Sequence, residues 1–212
     1  MSTYDLEEQE QLAALKAWWK QYGNLILSAI TAVMLAIAAW NGWSWYRASQ
    51  TAEAASLYET LQKAARATDY KAARDASGTL LEKYGRTPYG ALGALVSAKL
   101  NHQLGDVKTA KAQLQWVIDN AREEHLKSIA RLRLAHVLID EKAFDEALKV
   151  VSAQPASGFE ALFEAMRGDI NLVQKKVGEA RTAYSAALEK ADPQDSSFRE
   201  QLRLKIDALG EG

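Results

Sequence analysis

Apolar and polar positions divide the chain into two unlike parts. Residues 21–46 are 26 consecutive positions without a charged side chain, and residues 25–40 read LILSAITAVMLAIAAW. Crossing ~30 Å of hydrocarbon takes about 20 apolar residues of helix, so this run predicts one membrane-spanning helix. Aromatics mark its ends: Trp18, Trp19 and Tyr22 before it, and Trp40, Trp43, Trp45 and Tyr46 after it. Such rings settle at the membrane interface, because the ring is apolar while its N–H or O–H seeks water. Trp19 and Trp40 are 21 residues apart. At ~1.5 Å per residue that is roughly 32 Å, about one bilayer core. A cleaved signal peptide ending at Ala36-Ile37-Ala38 is the competing reading. Against it stand the long leader with Asp5, Glu7, Glu8 and Glu10, and the apolar and aromatic residues that continue past the cut.

Two finer patterns accompany the span. Leu12, Leu15, Trp19 and Tyr22 share one helical face. Two readings fit residues 5–22 equally: a helix lying on the membrane or meeting a partner, and an ordinary amphipathic lead-in. Ser28, Ala32 and Ala36 form a small-residue ridge at four-residue spacing, which permits close helix contact in lipid. Alanine is so common here that the ridge is weak evidence for a partner. Lys16 and Lys20 precede the span and Arg47 follows it, which leans towards an inside N-terminus. Widening the window to Lys63 and Arg66 removes that bias.

After Arg47 helical periodicity continues without a linker through Ala52, Ala55, Leu57 and Leu61, and then a phrase recurs. Its instances are Asp69-Tyr70-Lys71-Ala72-Ala73, then Gly105-Asp106-Val107 with Ala110 and Leu114, then Phe144-Asp145-Glu146-Ala147 with Val151, then Val177-Gly178-Glu179-Ala180 with Tyr184 and Ala187. The anchoring alanines 73, 110, 147 and 180 are spaced by 37, 37 and 33 residues, close to the ~34-residue period of tetratricopeptide repeats. A small residue there lets the second helix of a hairpin approach the first. Ala135 and Leu138, and then Gly168, occupy the matching first-helix positions. Single hairpins cannot bury their apolar faces, so neighbours stack into a solenoid.

Helix starts are predicted at Thr87-Pro88 as a cap with proline at the first position, at Ser157 to Glu160 as a capping box, and at Asp192-Pro193. The last opens a terminal cap with Phe198, Leu202, Ile206 and Leu209 on one face and Arg199, Arg203 and Lys205 elsewhere. The expected fold is therefore all-α, a single N-terminal transmembrane helix followed by a tetratricopeptide-like helical-hairpin solenoid. Its segments are 1–22 (N-terminal amphipathic), 23–46 (span) and 47–212. The last holds hairpins 54–86, 89–121, 126–153 and 159–191 and a capping helix 194–209.

Composition narrows the function. Lys and Arg total 26 against 27 Asp and Glu, for a formal charge of -1. Nucleic-acid binders carry a basic excess to replace counterions on phosphate, so none is expected as partner. With no cysteine, disulfides, thiolate zinc sites and cysteine catalysis are excluded. His102, His125 and His136 are the only histidines. His125 and His136 lie three helical turns apart, roughly 16 Å, too far to share a metal. Phosphate-loop glycines, a nucleophile elbow and HExxH are absent. The expectation is a non-enzymatic protein with no cofactor, metal or small-molecule substrate. Its candidate partner-binding positions are first-helix residues Lys99, His102, His136, Asp140 and Asp169, set among Leu95, Leu132 and Leu172. Such a surface accepts a partner's helix or extended segment. The Lys, Arg and Asn cluster with which some tetratricopeptide co-chaperones grip a C-terminal carboxylate does not assemble from these positions.

With these residues in view, the chain resembles the YfgM-type ancillary subunits of the bacterial SecYEG translocon. The likeness runs through the acidic leader, the span and the four irregular hairpins. It is densest at Thr87-Pro88-Tyr89-Gly90-Ala91-Leu92, at Leu126-Lys127-Ser128 onward to Leu132-Arg133-Leu134-Ala135, and from Arg167-Gly168-Asp169 to Gly178-Glu179-Ala180-Arg181. The resemblance implies a single-pass protein of the bacterial inner membrane, N-terminus cytoplasmic and hairpin domain periplasmic. It also implies association with SecYEG and with a PpiD-like periplasmic chaperone, and a role in passing exported proteins to chaperones. The alternative from a different class is a structural organiser of another envelope complex.

Overall fold

The computed structural model describes residues 4–210. The outermost residues of the expected N-terminal segment and hairpin domain, 1–3 and 211–212, lie outside that range. The fold is all-helical. Two compact units, Met1–Ser49 and Gln50–Gly212, divide the chain.

The first unit is formed by the leading part of α1 (Tyr4–Arg66). Its large side chains face outward: Leu25 is 69% exposed, Leu35 65% and Trp40 73%. A soluble helix would bury such a stripe; this one is long and apolar enough to cross a membrane. Its hydroxyls bond to the helix itself, Ser28 Oγ donating to Asn24 O at 2.7 Å and Thr31 Oγ1 to Leu27 O at 2.8 Å. A lipid environment supplies no other acceptors. At the far end the Arg47 guanidinium lies 5.2 Å from the Trp43 ring centroid.

The second unit holds the end of α1 and eight further helices: α2 (Tyr70–Tyr84), α3 (Pro88–Gln103), α4 (Val107–Asn120), α5 (Glu124–Asp140), α6 (Phe144–Ser152), α7 (Glu160–Val173), α8 (Val177–Lys190) and α9 (Ser196–Ala208). Successive helices pair as hairpins, and first helices also touch their neighbours, α3 on α5 and α5 on α7. Ala73, Ala110, Ala147 and Ala180 are each at most 1% exposed, at the points where the paired helices close.

The four hairpin turns share one backbone geometry. A residue with positive φ stands five places before each anchoring alanine: Thr68 (55°), Gly105 (80°), Lys142 (61°) and Lys175 (61°). The next N–H then reaches back five residues, as from Asp106 N to Asn101 O at 2.8 Å and from Lys176 N to Asn171 O at 2.9 Å. This is the Schellman closure, which satisfies carbonyls at a helix end. Only Gly105 enters that conformation without a Cβ penalty. The first two turns then cap the following helix, Asp69 accepting from Ala72 N and Asp106 from Thr109 N. Ala143 and Lys176 hold the equivalent place in the last two and make no side-chain cap bond.

One helix starts where expected but without the expected cap bond, and two start elsewhere. Pro88 is the first residue of α3, but the Thr87 hydroxyl donates backwards to Tyr84 O at 2.7 Å instead of capping. The Ser157 to Glu160 capping box does not form. Gly158, at φ 86°, turns the chain so that its own N–H donates to the Glu160 carboxylate at 2.8 Å, and α7 starts at Glu160. Asp192 bends the backbone locally by accepting from Gln194 N, so the last helix waits for Asp195, which accepts from Phe198 N at 3.0 Å. Leu202 is buried and Phe198, Ile206 and Leu209 pack on the last hairpin. Arg199 also turns inward, donating to Leu188 O and Ala191 O at the end of α8.

Polar groups are built into the first two hairpins. Asn101 Nδ2 bonds Ser97 O and Gln113 Oε1, each at 3.0 Å, while Gln113 Nε2 donates to Ser97 Oγ at 2.8 Å. Ser77 Oγ lies 3.2 Å from Ser97 Oγ, so the network joins α2, α3 and α4. Ser128, fully buried on α5, accepts from Ala156 N at 2.9 Å and so pins the connection after α6.

Candidate functional site

The first-helix face gathers part of the predicted set. His102 Nε2 of α3 stands 3.2 Å from Asp140 Oδ2 of α5, joining two successive hairpins. Lys99 precedes His102 by one turn and His136 precedes Asp140 by one turn, and both are exposed. Of the leucines expected among them, Leu95 is buried in the core at 4%, Leu132 is half-buried, and Leu172 is exposed. Arg133 fixes the α3–α5 spacing by donating to Leu95 O at 3.0 Å. Among the described residues no cluster of His, Asp or Glu could hold a metal ion.

Asp169 has a different setting. Its Oδ1 accepts from the Tyr184 hydroxyl at 2.7 Å and from Lys205 Nζ. Lys205 also lies 5.2 Å over the Tyr184 ring. Burial, then the hydrogen bond to Asp169 and its charge, push the Tyr184 hydroxyl far above its ordinary pKa. Tyr184 is fully buried against Gly168, where an added Cβ would fall 2.4 Å from the ring. Asp169 thus ties α7 and α8 to the terminal helix. The small-residue ridge of Ser28, Ala32 and Ala36 lies exposed along α1.

Two grooves open where second helices stand beside each other, and nothing in the periodicity pointed to them. One, of 560 Å³, is lined by α6, α7 and α8 residues including Glu164, Arg167 and Thr182. Its charges are mutually satisfied: Glu164 accepts from Arg167 Nη1 at 2.9 Å and from Lys190 Nζ, and Arg167 Nη2 donates to Val151 O at 2.8 Å. Burial pushes the Glu164 carboxyl upward, but the Lys190 hydrogen bond and the two cations outweigh it, leaving it below its usual value. The other groove, of 730 Å³, lies between α4 and α6 over α5. Lys111, Arg131, Glu146 and Lys149 line it above a floor that includes Ile118, Leu134, Leu138 and Val150. Charge and apolar surface therefore meet on both sides of the hairpins, an arrangement suited to holding polypeptide segments.

Residues 16–211 match the profile of the tetratricopeptide repeat-like domain family. Several curated relatives match over nearly the whole length. A protein of Neisseria gonorrhoeae named ancillary SecYEG translocon subunit is 31% identical over 208 residues, covering 96% of this chain and 98% of its own. The proteins of that name from Escherichia coli K12 and Haemophilus influenzae are 29% and 26% identical, covering 99% and 97% of this chain and 99% of each relative. The chain belongs to the ancillary SecYEG translocon subunit family. Family likeness of this extent takes in the apolar helix and the hairpins together.

Proposed function

We propose that this protein is a single-pass, non-enzymatic ancillary subunit of the SecYEG translocon. On this reading the N-terminus is cytoplasmic, the span lies in the bacterial inner membrane, and the hairpin domain sits in the periplasm. There it acts as an adaptor, passing exported proteins to periplasmic chaperones, a PpiD-like chaperone among them. The observation that carries the reading is the end-to-end match to relatives of that name, with apolar helix and hairpin domain both inside the aligned region. The outward-facing apolar side chains of α1 support the membrane placement. Lys99, His102, His136 and Asp140 present both charge signs on the first-helix face as a partner contact, with Asp169 anchoring its far end. Ser28, Ala32 and Ala36 offer a close-packing face to a helix of the channel.

Affinity purification of the full-length protein from mildly solubilised membranes tests this, with mass spectrometry of what is retained. Recovery of SecYEG and a PpiD-like chaperone is expected, and photo-crosslinks from Ala32 should reach the channel. Recovery of a different envelope complex without SecYEG would overturn it in favour of an organiser of that complex. Cysteine-accessibility labelling at Glu8 and Gln154 reads orientation independently, with only the second expected to react from outside.

A further inference from the structure

The 730 Å³ groove between α4 and α6 differs from its neighbour in one respect: a guanidinium nitrogen of the arginine on its α5 wall has no acceptor. Arg131 Nη1 is wholly buried with no hydrogen-bond acceptor among the described residues. Arg181 Nη2 on α8 is likewise buried without an acceptor but lines neither groove, whereas Arg133 engages Leu95 O, Arg167 engages Val151 O and Glu164, and Arg199 engages two carbonyls at the end of α8. A buried guanidinium N–H without an acceptor is costly, because water's hydrogen bonds are lost and nothing replaces them. The nearby carboxylate of Glu124 is already taken by Lys127, whose Nζ lies 2.7 Å away; its pKa is lowered first by that hydrogen bond, and Arg131 contributes only longer-range charge.

Three cations face one acid in this groove. Lys111 is neutralised by Glu141 at its outer edge. Lys149 makes no ion pair among the described residues, and Glu146 is the one carboxylate lining the groove. The net field therefore favours an anion. Between these charges lies the apolar floor of Ile118, Leu134, Leu138 and Val150. Lining residues on α4 run from Lys111 to Ile118, about 10 Å of helix at ~1.5 Å per residue. An extended chain covers that length in about three residues at ~3.3 Å each.

We infer that this groove is a second polypeptide-binding site, taking an extended segment in which an Asp or Glu side chain lies beside aliphatic residues. The carboxylate pairs with the part of Arg131 that lines the groove, Nη1 itself being closed off, and is attracted by Lys149, while the neighbouring aliphatic side chains cover the floor. Charge complementarity and an elongated apolar bed together define the occupant. Guanidinium binds carboxylate through two parallel N–H donors, so glutamine is a poor substitute at the same place. The site is on the second-helix side, so it is separate from the His102–Asp140 face and does not depend on which membrane complex the protein joins.

The test uses full-length protein in detergent micelles and three fluorescein-labelled, acetylated and amidated octapeptides. All have leucines at alternate positions, and they differ only in carrying Glu, Gln or Lys at one central position. Anisotropy titrations should rank Glu above Gln by about tenfold or more, the usual scale for a charge-assisted hydrogen bond, with Lys weakest. Arg131→Gln should abolish the Glu-over-Gln preference, with helicity checked by circular dichroism. Glu146→Gln, an exposed change that keeps Arg131, should instead tighten Glu-peptide binding by about two- to fivefold, the scale of one partly solvated repulsion. Equal binding of Glu and Gln peptides by the unaltered protein, preference for Lys, or no binding at all would overturn the inference. So would a Glu preference that survives Arg131→Gln. If Arg131→Gln does not fold, the Glu146→Gln titration decides, since unchanged affinity there refutes the site.

Discussion

The contact between Gly168 and Tyr184 offers a perturbation whose sign can be reversed at will. A Cβ at residue 168 would sit 2.4, 2.5 and 2.9 Å from three ring carbons of Tyr184. Ordinary carbon contacts begin near ~3.5 Å, so the ring would have to retreat by about 1 Å. Tyr184 has no exposed surface to retreat into, and its hydroxyl is held at 2.7 Å by Asp169. Overpacking of this kind costs ~1–3 kcal/mol, and a weakened bond to a carboxylate adds ~1–2 kcal/mol. Alanine's better helix propensity returns about 1 kcal/mol. Gly168→Ala should therefore destabilise the hairpin domain by about 1–4 kcal/mol. At ~2–4 °C per kcal/mol, that lowers Tm by roughly 2–16 °C. Removing the ring removes the clash but not the propensity gain. In a Tyr184→Ala background the same Gly168→Ala change should thus stabilise, by up to about 1 kcal/mol. Urea unfolding followed by far-UV circular dichroism in mild detergent measures all four corners of the cycle. A neutral or stabilising Gly168→Ala in the otherwise unaltered protein would refute the close-approach account. So would an equal loss in both backgrounds.

Lys176 stands where Asp69 and Asp106 cap their helices, so Lys176→Asp should add a cap and stabilise by about 1 kcal/mol in the same urea assay. Asp106→Ala should cost about 1 kcal/mol by the same logic, and Thr87→Ala less, because its hydroxyl does not cap α3. Glu164 titrates below its ordinary value when folded, so its ion cluster stabilises above the unfolded carboxyl pKa, and that contribution is lost as pH falls through the lower folded value. Melting curves of Glu164→Gln against the unaltered protein should differ by about 1–2 kcal/mol at neutral pH and converge only once the pH has fallen below the lowered folded value. Ala147→Trp, at a position with no exposed surface, should cost ~3 kcal/mol or more and shift the urea midpoint; an unchanged midpoint would mean that α5 and α6 do not close at that residue.

Periodicity carried most of this architecture because it is set by local, repeated requirements. Each anchoring alanine sits where two helices of one hairpin meet, so its smallness is a constraint that recurs at fixed spacing and shows in the sequence. The span was legible for a similar reason, since lipid demands apolar side chains on every face. Starts of helices were less so: Ser157, Asp192 and Thr87 have the right chemistry, yet Gly158's turn, Asp192's own bend and the pull of Tyr84 O redirect each. Sequence places Asp169 among the first-helix partner positions, and only the return of α9 across α7 and α8 brings Lys205 to it. Arg131 gave no signal at all, since an arginine on an amphipathic helix is ordinary. Its lack of a partner emerges only when second helices of different hairpins are set side by side.

The polar network of Ser77, Ser97, Asn101 and Gln113 has a consequence for a chain made of look-alike hairpins. Apolar faces that repeat every few dozen residues can pair with the wrong neighbour, skipping a unit or joining one from another molecule, with little loss of buried area. Hydrogen-bonding groups in a core behave differently, because a mismatched partner leaves several of them unsatisfied at once. Only α2, α3 and α4 together satisfy this set. It therefore acts as a key in a lock at one junction of the array, marking where the count of units begins. Replacing the four with alanine and valine would leave the hairpins apolar enough to stack, but free to stack out of order.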